Sequence, residues 1–123
     1  MRIREAIAEL RSLKPNQYSD EQLLRWLSAL DGQIYEEVLK NAEDAPSPPL
    51  LPYRLESDMD RELLAPFPHE GLYISYLSMQ VDYYNGEYTR YNNGMVMFKL
   101  AYQMFADTWI RNHKPKQEAV IYV

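Results

Sequence analysis

The chain has 123 residues, of which 46% are hydrophobic and 25% charged, a size and composition that fit one globular domain over 1–123. It contains no cysteine, which excludes disulfides, thiolate metal sites and cysteine nucleophiles and fits a reducing compartment. The net charge of −5 comes from the first half, where residues 1–62 hold 8 basic and 13 acidic groups against 5 of each in 63–123, so no basic face for duplex nucleic acid stands out.

The N-terminal MRIREAIAEL is charged throughout and reads as no signal peptide, and no apolar run approaches a membrane span. Ile3, Ile7 and Leu10 share a stripe, which predicts a short amphipathic helix over about 3–13 ended by Pro15, with an uncapped and fraying first turn. Ser19 followed by Asp20, Glu21 and Gln22 is a helix start with a hydroxyl cap, acid in the first turn and an amide for a capping box. The stripe Leu23, Leu27, Leu30, Ile34 and Val38, with Trp26 beside it, carries this second helix over about 20–40, where Gly32 weakens it without breaking it. Residues 41–67 form a proline-rich loop, because Pro46, Pro48, Pro49, Pro52 and Pro66 remove donors and push their predecessors out of helical geometry. Leu50, Leu51, Leu63, Leu64 and Phe67 place part of this loop on the core or on a neighbouring molecule.

Helical spacing then returns. Ile74, Leu77, Val81, Tyr84, Tyr88, Tyr91, Met95, Phe98, Tyr102, Phe105 and Trp109 follow steps of three and four, which by phase alone describe one helix. Asn85-Gly86 and Asn92-Asn93-Gly94 both favour turns, and a single helix over 69–112 would reach about 65 Å, too long for this domain to cover. The favoured reading is two antiparallel helices, about 69–84 and 87–112, hinged at Asn85-Gly86; one kinked helix packing on other subunits is the alternative. The predicted class is therefore all-α, a four-helix arrangement with the long loop and a short extended C-terminal arm over 116–123, in which Val120–Val123 form an edge strand or a pairing arm.

No constellation for catalysis, cofactor or metal follows from the residue types. His69 and His113 have no helical partner and fit helix-end capping; the acids Asp58, Asp60 and Glu62 lack the glycine and terminal acid of a calcium loop; and no serine sits in an elbow or phosphate-loop pattern. Arg111, His113, Lys114 and Lys116 form a small positive cluster that suits a helix C-terminus. The tyrosines carry more information. Seven of eleven fall between 73 and 102 with only Arg90 basic among residues 73–98, which disfavours a stacking platform for single strands and favours protein interfaces. Tyr73, Tyr76, Tyr83, Asn85, Gly86, Glu87, Arg90, Asn92 and Asn93 are the candidate interface or hinge residues, with Glu87 and Arg90 spaced to pair with each other or with a neighbouring subunit.

The segments ELLAPFPHEGLYISYL (62–77), DYYNGEYTRYNNGMVMF (82–98) and FADTWIRNHKP (105–115) resemble a family of small morphogenesis proteins of tailed phages and prophages of low-GC Gram-positive hosts. The resemblance is similar in character to the head–tail connector, or adaptor, class, and covers about 58–116; the N-terminal helices match it only in being helical. It departs at Asn112-His113-Lys114, where threonine is expected before the histidine, and at Gly94. It implies a noncatalytic homo-oligomeric ring subunit that contacts portal or neck proteins, resides in the virion and occupies the host cytoplasm during assembly. A small nucleic-acid-binding or regulatory phage protein is the alternative and requires a basic helix face.

Overall fold

A computed structural model describes residues 1–116. It is all-α, with four α-helices and no strand among the described residues: α1 (Ile3–Leu13), α2 (Asp20–Ile34), α3 (Gly71–Tyr84) and α4 (Tyr88–Asn112). The arm expected over 116–123 lies outside the described residues except for Lys116, whose N–H donates to the Asn41 carbonyl at 2.8 Å.

Ser19 caps α2 as its sequence requires, its Oγ accepting from the Gln22 N–H at 3.1 Å. The helix expected to run to residue 40 is α-helical only to Ile34 and continues as a π-helical turn, Tyr35–Leu39, closed by the Lys40 N–H on the Tyr35 carbonyl. Val38 and Leu39 on this turn are both buried. The start of α1 also differs from expectation. The Arg2 N–H bonds Glu5 Oε1 at 2.8 Å, and the Ile3 and Arg4 N–H groups donate to the carbonyls of Arg61 and Met59 at 3.0 and 2.8 Å. The distant loop therefore satisfies donors that the local sequence leaves open.

α3 and α4 form an antiparallel hairpin. The ring pairs His69–Phe105, Tyr76–Phe98 and Tyr83–Tyr91 run in opposite chain order, as antiparallel helices require. Asn85-Gly86 is the turn, and its hydrogen bonds show why. The Gly86 N–H donates to Tyr83 and the Glu87 N–H to Asp82, the paired bonds of a helix end whose next residue is left-handed; Gly86 has φ +76°. Asn92-Asn93-Gly94 stays helical. A Cβ on Gly94 would sit 3.3 Å from Met79 Cβ, so this glycine marks close approach of the two helices and not a break. α3 also packs on α1 and α2, whereas α4 packs mainly on α3 and the π-turn. Lys14 Nζ, just beyond α1, holds both oxygens of the near-buried Asp82 on α3 at 2.7 Å.

Candidate interaction surface

The nine candidate residues separate once they are placed. Tyr73 is fully buried and belongs to the interior, which corrects its assignment to a contact surface. Tyr76 is half-buried with its ring on Phe98 at 5.2 Å, and burial, then the neighbouring Tyr84 and Tyr91, raise its phenol above the usual tyrosine range. Asn85 serves the turn: its Oδ1 accepts from Gln17 Nε2 at 2.8 Å and from Tyr18 Oη at 2.7 Å. Glu87, Arg90, Asn92 and Asn93 are all exposed, and Glu87 and Arg90 form no ion pair with a described residue, including each other.

Tyr83 does lie at the surface, 44% exposed, within a cluster that sequence spacing scattered over several faces. Its ring lies 5.1 Å from Tyr84, 5.9 Å from Tyr88 and 5.0 Å from Tyr91, while Tyr84 stacks on Trp26 at 5.5 Å. Tyr84 and Tyr88, assigned to the inward stripe, are 59% and 60% exposed. Both lie beside the turn at Asn85-Gly86, where they pack on Trp26 and Tyr83 but stay largely open to solvent. Farther along α4, beyond exposed Asn92 and Asn93, the outer face carries an apolar patch, where Val96, Met97, Leu100 and Met104 are each 57–66% exposed. Met97 and Met104 read from sequence, with Met95, as adaptable packing near a seam or in the core, whereas Val96 and Leu100 escaped that reading because the aromatic stripe accounted for the helix. Their spacing on the opposite face was the available signal.

The most deeply buried carboxylate among the described residues also lay beyond that reading. Asp31 is completely enclosed, with Oδ1 accepting from Tyr73 Oη at 2.5 Å and Oδ2 from Tyr53 Oη at 2.6 Å and the Leu64 N–H at 3.2 Å. Tyr73 Oη in turn accepts from the Ala65 N–H at 2.7 Å, and Ser28 Oγ accepts from the Tyr53 N–H at 2.9 Å. Burial raises the Asp31 pKa against the pull of these donors, and burial with the adjoining Asp31 charge pushes both phenols well up. The cluster joins α3 to α2 through Tyr73 and Asp31 and ties Tyr53, Leu64 and Ala65 onto both. Asp31 stands four residues after Leu27 and three before Ile34, so an acid in phase with the apolar stripe was its signature.

His69 and His113, distant in sequence, border one groove of about 370 Å³ with Phe67, Phe105 and Trp109. His113 Nδ1–H donates to the Trp109 carbonyl at 2.8 Å and its ring stacks on that indole at 3.5 Å, which is helix-end capping as its position predicts. Among the described residues no three histidine, aspartate or glutamate side chains gather to hold an ion, and no helix is long and apolar enough to cross a membrane. Comparison with known proteins finds no match among protein-family models, curated proteins or solved structures.

Proposed function

We propose that this chain is a phage structural and assembly protein, an adaptor-like head–tail connector subunit that acts by contacts between proteins and not by catalysis. The observation that carries the reading is the exposed apolar surface of the Tyr83–Tyr84–Tyr88 tip and of Val96, Met97, Leu100 and Met104 on α4, surface of the kind that marks interaction sites. The resemblance of residues 58–116 to the morphogenesis family supplies the setting. In it the chain is a homo-oligomeric virion component against portal or neck proteins, made in the host cytoplasm or as a prophage product.

The experiment is electron cryomicroscopy of purified particles, with mass spectrometry of their proteins. The expected result is this chain in stoichiometric amount and as density at the head–tail junction. Complete particles whose junction is built without it would overturn the proposal.

A further inference from the structure

The face of α4 is not self-complementary. Arg90, Lys99 and Arg111 are exposed along it, none is in an ion pair with a described residue, and Asp107 is the only acid between residues 88 and 112. Two such faces brought together would oppose cation to cation, a repulsion that apolar burial would have to overcome. A partner face should instead be apolar at its centre and acidic at its edge.

The same chain has one. In residues 43–56, Leu50 is 81% exposed and Leu51 and Leu55 are partly so, while Glu43, Asp44 and Glu56 outnumber the single base, Arg54. Asp44 and Glu56 are in no ion pair with a described residue. Glu43 already pairs with Lys114 at 3.8 Å, so three unpaired bases on α4 meet two unpaired acids, Asp44 and Glu56, on the loop. The loop is also held ready. Tyr53 is fixed to Ser28 and Asp31, Tyr35 Oη donates to the Pro46 carbonyl at 3.1 Å, and Leu51 lies over Gly32. The two faces sit on different elements and share no residue, so one molecule can use both at once.

We infer that the Val96–Met104 face of α4 in one copy packs on the Leu50–Leu55 loop of the next, a head-to-tail contact between copies of this chain. The contact deepens the homo-oligomer part of the proposed function and rests on it. It uses two different patches, so it can propagate from copy to copy and close as a ring.

The test is sedimentation velocity on the full chain from about 5 to about 500 μM, with two double variants at exposed positions: Met97→Gln with Leu100→Gln, and Leu50→Gln with Leu55→Gln. Circular dichroism and thermal melts confirm that both fold. The wild type is expected to gain mass above 14.6 kDa with concentration and to lose it with added salt. Each variant alone is expected to associate at least about tenfold more weakly. Their equimolar mixture should form a 1:1 dimer through the two faces left intact. A wild type that stays monomeric throughout overturns the inference. So does a loop variant that associates like wild type, which indicates pairing of α4 with α4, or an α4 variant that does so, which indicates another surface. A monomer found at the head–tail junction would defeat the face pairing alone; an associating chain absent from particles would defeat the virion assignment alone.

Discussion

Replacing Tyr73 by Phe deletes one oxygen and leaves the ring that fills the core, so its effect isolates the Asp31 cluster. The lost phenol donates to a buried carboxylate, a bond of about 1.5–3 kcal/mol, and it leaves the enclosed Ala65 N–H without an acceptor, a cost of about 1–3 kcal/mol. Together they predict a loss of about 3–5 kcal/mol in urea unfolding at pH 7, a large part of the stability of a domain this size. Tyr102 supplies the control. Its Oη also donates to a carboxylate, Glu37 at 2.7 Å, but at an exposed site, so Tyr102→Phe should cost less than about 1 kcal/mol. The pH dependence has a definite sign. Asp31 has a folded pKa above its ordinary value, so the native state binds the extra proton, and the site's contribution is full at acid pH and declines as pH rises through the folded pKa. Losing a donor to the carboxylate raises that pKa further, so the Tyr73→Phe deficit should be greater at pH 7 than near pH 4. Equal costs for the two tyrosines, or a deficit independent of pH, would refute the reasoning.

Asp31→Asn should weaken the pH dependence of stability and approach the wild type as pH rises, as measured by unfolding across a pH series. Gly86→Ala should cost about 1–2 kcal/mol from its left-handed backbone alone, since nothing lies within 4 Å of the added Cβ. Gly94→Val should cost about 1–3 kcal/mol through overpacking against Met79, and thermal melts check both glycines. Lys14→Ala leaves Asp82 near-buried and unpaired, and a double-mutant cycle with Asp82→Ala should return a coupling of about 1–3 kcal/mol.

What the sequence makes legible is whatever depends on near neighbours. The Ser19 cap, the stop before Pro15 and the turn at Asn85-Gly86 are local chemistry, and each is found where residue type puts it. Gly94 shows the limit. As a turn signal it is indistinguishable from Gly86, and only the facing Met79 shows that it serves close packing. The π-turn at Tyr35–Leu39 has no residue signature, and the ordered start of α1 depends on carbonyls some sixty positions away. Tyr73 and Tyr83 are alike in sequence context and opposite in fate. One meets Asp31 across the core, and the other sits at a hairpin tip, against Tyr88 and Tyr91 but still largely in water. Tyrosine content could announce surplus ring surface, but which rings remain in water depends on where the hairpin ends.

The central claim is that other protein molecules cover the outer face of α4 in the assembled particle. Methionine oxidation reads this face directly, because Met97 and Met104 are exposed on it while Met79 is buried beneath Gly94. In the isolated chain at low concentration Met97 and Met104 should oxidise well before Met79, and in purified particles both should be protected to about the level of Met79. Oxidation of Met97 and Met104 at the same rate in particles as in the free chain would contradict the account.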